Sequence, residues 1–76
     1  MEYLKIKDSV DLKELEKFGF ELIPSTLLGE LAYFYVYEEM LVDTRTKEIK
    51  AFKMRMLAVI KLFDITQAGL VEKVEK

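Results

Sequence analysis

A ten-residue run, YFYVYEEMLV from Tyr33 to Val42, constrains the fold of this chain more than any other stretch. Apolar and aromatic side chains occupy both of its alternating faces, which fits a strand that is buried on both sides or one that uses a face for binding. We interpret the run as part of one strand from about Ala32 to Val42. In such a strand, Glu38 and Glu39 point to opposite faces.

A polar turn and a returning strand follow this run. TRTK, Thr44 to Lys47, is the predicted loop, and IKAFKMRM, Ile49 to Met56, is the predicted strand. With this loop, Glu38 faces Lys53. Such a cross-strand ion pair contributes about 0.2–1 kcal/mol, so we favour this register over the one that a three-residue loop would give. The other pairs of this register are Leu41 with Lys50, Glu39 with Phe52, Tyr37 with Met54, Val36 with Arg55 and Tyr35 with Met56.

The N-terminal segment predicts a strand and a short helix. EYLKIK, from Glu2 to Lys7, alternates as a half-buried strand does. DSVDLKELEKFGF is typical of a helix that Asp8 or Ser9 caps at its start and Gly19 ends.

The segment that follows this helix is ambiguous. Phe20 to Ile23 is predicted as a second strand and Pro24 to Gly29 as a loop, because proline cannot donate to a sheet ladder. Any strand that reaches Pro24 must therefore end there or lie at a sheet edge.

The C-terminal segment predicts a second helix and a closing strand. Met56, Val59, Ile60 and Phe63 recur at helical spacing, so we place a helix from about Leu57 to Ala68. The alternative is that Asp64 and Gln67 form a capping box, which would start a helix later and run it through LVEKVEK. We favour a short strand, LVEKV, after the helix.

These elements predict one α+β domain over residues 1–76, in the order β-α-β-β-β-α-β, with a mainly antiparallel sheet and two helices packed on one face. A domain of this size hides only about 60% of the surface that its unfolded chain exposes, so its stability is expected to be marginal. Cysteine and histidine are absent, which removes disulfides and the commonest metal ligands and general base. We therefore expect no cofactor and no metal.

The cellular context follows from hydropathy and charge. The N-terminus has no apolar core of the kind that a signal peptide needs, and the longest uncharged stretch, Leu22 to Gly29, is too short to span a membrane. We therefore expect a cytoplasmic protein with no membrane partner. The net charge of −2 gives no electrostatic reason to expect nucleic acid as a partner.

Catalysis is not expected either. Glu38 and Glu39 point to opposite faces of the predicted strand, so they cannot flank one substrate as an acid and a base. Capping explains Asp8 and Asp11 without a bound cation. The hydroxyl side chains that could act as nucleophiles, but that no histidine could activate, are Ser9, Ser25 and Thr26.

Protein binding is the function that remains. One predicted hairpin face is apolar with a charged rim, and we expect it to bind a protein partner, of which a second copy of the chain is one candidate, unless the C-terminal helix covers it. The residues of this candidate interaction face are Val36, Glu38, Met40, Lys53 and Arg55.

The opposite face suggests an alternative function. Tyr33, Tyr35 and Tyr37 lie on one side of the strand and are similar to a stacking platform for single-stranded nucleic acid. Burial of these tyrosines under the two helices is the simpler explanation. Acidic neighbours at Glu38 and Glu39 also argue against phosphate binding.

The two ends of the chain resemble known sequences. About a third of the chain is similar to the termini of small orphan proteins encoded by phages and prophages of low-GC Gram-positive bacteria. The similar segments are YLKIKDSVDLKELEKFGF at the start and AGLVEKVEK at the end. The matching residues contain no functional motif. The resemblance implies an accessory factor that binds host or phage proteins, including inhibitors of host defence. The resulting hypothesis is a small non-enzymatic protein-interaction or regulatory module.

Overall fold

The computed structural model describes residues 2–26, 31–53 and 55–75. Over these residues the chain forms two helices and six strands, which confirms the α+β prediction. All strand pairs are antiparallel, but they form two sheets, β1-β6 and β2-β3-β4-β5. The elements are β1 (Glu2–Ile6), a 3-10 helix (Leu12–Phe18), β2 (Glu21–Ser25), β3 (Ala32–Tyr37), β4 (Met40–Asp43), β5 (Ile49–Ala51), α1 (Met56–Gln67) and β6 (Val71–Glu75).

The run YFYVYEEMLV is a tight hairpin and not one strand. Tyr37 pairs with Met40, so Glu38 and Glu39 form a two-residue loop between β3 and β4. Glu38 has a φ of 54°, which the turns of two-residue hairpin loops require at their first position. The predicted continuous strand from Ala32 to Val42 is therefore wrong.

This loop changes which residues share a face of the sheet. Tyr37 and Met40 lie opposite each other and therefore on the same side, whereas a continuous strand would have put Val36 and Met40 together. The inner face, which packs on the core, carries Tyr35, Tyr37, Met40 and Val42. The outer face carries the directly paired residues Val36 and Leu41.

The second hairpin forms where the sequence predicts it. The N–H of Asp43 donates to the carbonyl of Glu48 at 3.0 Å, which closes the loop over Thr44 to Lys47. Leu41 pairs with Lys50, as predicted.

The returning strand is shorter than predicted. It ends at Ala51, and α1 begins at Met56. The predicted pairs Glu38 with Lys53, Val36 with Arg55 and Tyr35 with Met56 therefore do not form, because β3 pairs with β4 and β2 instead. Met54, the predicted partner of Tyr37, lies outside the described residues.

Local capping signals define the 3-10 helix. Asp11 is its N-cap and accepts a hydrogen bond from the N–H of Lys13 at 2.9 Å, so the predicted caps Asp8 and Ser9 are wrong. Gly19 ends the helix with a φ of 91°, as predicted, because glycine adopts this left-handed conformation without a Cβ clash.

Two further element predictions are settled by the strand pairing. Pro24 lies inside β2, which is an edge strand of its sheet and so tolerates a residue without an N–H. The predicted loop from Pro24 is wrong at its start, and its residues 27–29 lie outside the described part of the chain. The predicted closing strand is confirmed as β6, and the late-starting helix alternative is wrong.

The core lies between the inner face of the four-stranded sheet, β1 and the two helices. Its buried members come from every one of these elements, so loss of a single element would expose the rest. They are Ile6, Leu15, Phe20, Tyr35, Met40, Val42 and Ile65.

Lys47 connects the β4–β5 loop to the segment between β1 and the 3-10 helix. Its ammonium group donates to the carbonyls of Lys7, Asp8 and Val10 at 3.3, 3.1 and 2.7 Å. The carbonyl of Lys47 in turn accepts from the N–H of Ile6 at 2.9 Å. These contacts tie the two sheets together at one point.

We expect Lys47→Met to destabilise the protein by about 1–3 kcal/mol, because three carbonyls lose a charged donor. Lys50→Met is the matched control, since Lys50 is exposed, and its cost should stay within about 0.5 kcal/mol. Urea unfolding of both variants measures the difference. Equal costs for the two variants would show that the Lys47 contacts contribute nothing.

Candidate functional site

Helix α1 packs on the core with a narrow inner face. Ala58 and Ile65 are fully buried, and Leu62 packs against the same core.

The outer face of α1 is apolar and exposed. We call its large apolar residues the helix patch. They are Met56, exposed by 73%, Leu57 by 56%, Val59 by 45%, Ile60 by 48% and Phe63 by 61%. Phe52, which precedes the helix, is exposed by 72%.

The helix patch contains the residues that predicted the helix. Met56, Val59, Ile60 and Phe63 have the spacing of a helix face, but that face points away from the core. Ala58, Leu62 and Ile65 form a second apolar stripe at the same spacing and point inward. Two apolar stripes are typical of a helix that is covered on both sides.

The size of the helix patch is near the upper end of what a typical monomer exposes. Its five residues expose roughly 600 Å² if a fully exposed residue of this size presents about 200 Å². The largest apolar patch on a typical monomer is about 300–600 Å² and is often functional. The patch is therefore our candidate functional site.

A second apolar surface lies on the outer face of the four-stranded sheet. We call it the sheet groove, a concavity of about 230 Å³. Its lining residues are Ile23, Pro24, Ser25, Phe34, Val36 and Leu41. The groove is smaller than the pockets of about 300–1,000 Å³ that hold drug-sized ligands, so it does not suggest a small-molecule site.

The structure does not bring the predicted interaction face together. Met40 is fully buried in the core, whereas Val36 is half-buried on the opposite side of the sheet. Glu38 is exposed in the hairpin loop, Lys53 is exposed in the β5–α1 connection, and Arg55 is the N-cap of α1. Met40 is therefore unavailable to a partner.

The ion pairs near the two hairpins differ from the predicted pair of Glu38 with Lys53. Arg55 lies 3.9 Å from Glu39, whereas Glu38, its neighbour in the loop, was expected to pair with Lys53. Arg45 lies 3.4 Å from Asp43 within the second hairpin loop.

The three tyrosines share the inner face and have different environments. Tyr35 is buried, and its hydroxyl donates to Glu16 at 3.1 Å. Burial and this hydrogen bond raise the pKa of Tyr35 above its ordinary value. Tyr37 packs on Phe20, with ring centres 5.6 Å apart, and Lys61 lies 4.9 Å over its ring.

Only part of this tyrosine set can reach a base. Tyr33 is exposed by 45%, but Tyr35 faces the core and Tyr37 already has partners on its ring. A stacking platform needs successive open rings, and of these three tyrosines only Tyr33 is open.

Asp43 is the buried carboxylate of the described residues, and its contacts are structural. Its side chain accepts from the backbone N–H of Arg45 at 2.8 Å, which fixes the turn of the second hairpin. Burial alone would raise the pKa of Asp43, but the N–H and the guanidinium of Arg45 together hold that pKa below its ordinary value. The group stays ionised in the turn.

The lowered pKa predicts an acid-sensitive contribution to stability. Because the folded pKa is lower than the unfolded one, the contribution is complete above the unfolded value near 3.8 and is lost as the pH falls through the folded value. Asp43→Asn should cost about 1–2 kcal/mol at neutral pH, as expected for hydrogen bonds to a charged group.

Urea unfolding of the wild type and Asp43→Asn at neutral pH and below pH 3.8 tests this contribution. The gap between the two proteins should narrow in acid. A gap that does not change with pH would contradict it.

The described residues contain neither a metal-binding cluster nor a membrane-spanning helix. Those residues contain no group of three or more metal-ligating side chains placed to hold an ion. None of the helices in residues 2–26, 31–53 and 55–75 is long and apolar enough to cross a membrane.

Comparison with known proteins adds no relative. No protein-family model, curated protein sequence or solved structure matches the chain.

Proposed function

We propose that this protein is a small non-enzymatic module that acts by binding another protein through the helix patch. The observation that carries this proposal is that α1 is apolar on both sides, while the fold covers one side only. Covering roughly 600 Å² of such surface would contribute many kcal/mol at about 25 cal/mol per Å², before the costs of association.

The composition of the patch also favours a protein partner. Aromatic residues and methionine are enriched in the centres of protein interfaces, and Phe63 and Met56 lie in this patch. Arg55 and Asp64 border it on the same helix and are both exposed, as a charged rim around an apolar centre would be. A methionine-containing helix face can also adapt its shape to a partner.

Two matched variants test the proposal. Ile60→Glu places a charge in the helix patch, whereas Ile23→Glu places the same charge at a similarly exposed isoleucine in the sheet groove. With each protein as bait in cell extract, we expect wild type and Ile23→Glu to retain the same partners and Ile60→Glu to lose them. Capture that is the same for all three proteins would contradict the proposal.

The resemblance of the chain ends suggests a context for this binding. A phage accessory factor that binds a host-defence protein is the specific version of the proposal. Expression of the wild type in a Gram-positive host should then raise the yield of phage under host defence, and Ile60→Glu should not. Equal yields from both proteins would contradict this version.

A further inference from the structure

The four-stranded sheet has a free edge at β2. This strand pairs with β3 on one side, and no described strand pairs with it on the other. The opposite end of the sheet is joined to β1 by the bridge between Lys5 and Glu48 and by the bond from the N–H of Ile6 to the carbonyl of Lys47. Among the described strands of this sheet, β2 is therefore the one whose whole far side is open to a further strand.

The hydrogen bonds of Tyr33 show which way the backbone of β2 points. The carbonyl of Tyr33 accepts from the N–H of Thr44 at 3.3 Å, so the N–H and the carbonyl of Tyr33 both face β4 and not β2. Pro24 lies directly opposite Tyr33, and opposite residues in an antiparallel ladder either bond to each other or both face away. The backbone of Pro24 therefore faces the free edge, and so does that of Leu22, two residues earlier.

The free edge is poor in hydrogen-bond donors. Pro24 has no N–H, and its ring occupies the place where the donor would be. Phe20, two residues before Leu22, already donates its N–H to the carbonyl of Leu15 at 3.2 Å. Over residues 20–25, Leu22 is therefore the single residue that offers an open N–H to another strand.

The side chains of β2 would favour pairing if the backbone allowed it. Leu22 is exposed by 49% and Ile23 by 40%, on opposite faces of the strand. Glu21 is the one charged residue of β2, whereas β6, the outer strand of the other sheet, carries three charges that protect such an edge. An exposed apolar edge like that of β2 is prone to pair with another copy unless its backbone prevents it.

Two β2 strands of separate copies would pair antiparallel about Ile23. Leu22 of one copy would then lie opposite residue 24 of the other, and two such pairs normally form two hydrogen bonds each. Proline at position 24 removes one bond from each pair and leaves the carbonyl of Leu22 without its donor. A backbone hydrogen bond changes an equilibrium constant by about fivefold, so the two missing bonds weaken this pairing by more than about tenfold.

We infer that Pro24 keeps the free edge of β2 from pairing with the same edge of a second copy. The proline costs the sheet nothing, because its backbone faces away from β3. No residue of this edge belongs to the helix patch, so the edge acts independently of the proposed function. Any residue with an N–H at position 24 should make the chain associate through β2.

Sedimentation equilibrium of the wild type, Pro24→Thr, Pro24→Ala and Ser25→Thr tests the role of Pro24. Both Pro24 variants restore the edge N–H, whereas Ser25→Thr adds a β-branched side chain at a position whose N–H faces β3. We expect the association constant to rise at least about tenfold in both Pro24 variants and to stay at the wild-type value in Ser25→Thr. The circular dichroism spectra should not change.

A second proline tests where the variants associate. Leu22→Pro in the Pro24→Thr background removes the other edge donor, so it should return the association constant to the wild-type value. Ile60→Glu in the same background should preserve the association, because the helix patch takes no part in it.

Three results would overturn the inference. The first is a folded Pro24→Thr that associates no more strongly than the wild type or Ser25→Thr. The second is an association that Leu22→Pro leaves unchanged or that Ile60→Glu abolishes. The third is loss of the fold in both Pro24 variants, which would show that the proline serves the fold and not the edge.

Discussion

Met40→Lys is expected to unfold the protein, whereas Val36→Lys is expected to leave it folded. Met40 is fully buried among apolar side chains, so a lysine there is an unpaired charge in the core and costs more than about 4 kcal/mol. Val36 is half-buried on the outer face beside Glu21. A lysine at Val36 can extend its head to water and face that glutamate.

Far-ultraviolet circular dichroism and urea unfolding distinguish the two variants. The comparison tests the hairpin at Glu38 and Glu39 directly. A continuous strand would place Val36 and Met40 on one face, so lysine would have the same effect on folding at both positions. Unfolding of both variants, or of neither, would contradict the hairpin.

Ile65→Ala should destabilise the monomer by about 2–5 kcal/mol, because it leaves a cavity in the core. Ile60→Ala, on the same helix, should change the stability of the monomer by less than about 1 kcal/mol. Ile65 is fully buried and Ile60 is exposed by 48%, so the pair differs in orientation and not in chemistry. Urea unfolding in dilute solution measures both costs. If Ile60→Ala lowered the free energy of unfolding more than Ile65→Ala does, α1 would have to face the core with its other side.

Local sequence signals predicted much of the fold because their physical causes are local. Gly19 ends the 3-10 helix since the position needs a left-handed backbone. The polar loop from Thr44 to Lys47 formed as predicted, and Asp43 explains it through the bond to the N–H of Arg45. The helical spacing in Met56 to Phe63 correctly predicted α1.

The hairpin at Glu38 and Glu39 could not be predicted from its residues. Two-residue hairpin loops favour asparagine, aspartate and glycine, and glutamate carries no such signal. The pairing of β3 with both β2 and β4 holds Glu38 at its positive φ, and this is tertiary information. For this reason Val36 and Met40, which were predicted to share the interaction face, lie on opposite sides of the sheet.

The face of α1 that points inward could not be predicted, for a different reason. Periodicity identifies a helix but does not say which of two apolar stripes faces inward. The stripe with larger side chains, at Met56, Ile60 and Phe63, is outside, and the stripe that contains the small Ala58 is inside. The signal that was present is that both stripes are apolar, which indicates a helix covered on both sides.

Binding through the helix patch requires that the patch is exposed in the free protein and covered in the complex. The oxidation of Met56 by hydrogen peroxide, followed by peptide mass spectrometry on the unmodified chain, measures both states. Met56 is exposed by 73% and Met40 is fully buried, so in dilute protein Met56 should oxidise much faster than Met40. When the partner that the wild type captures from cell extract is added, Met56 should become protected. A Met56 that is protected even in the free protein, or that reacts equally fast with and without the partner, would contradict binding through the helix patch.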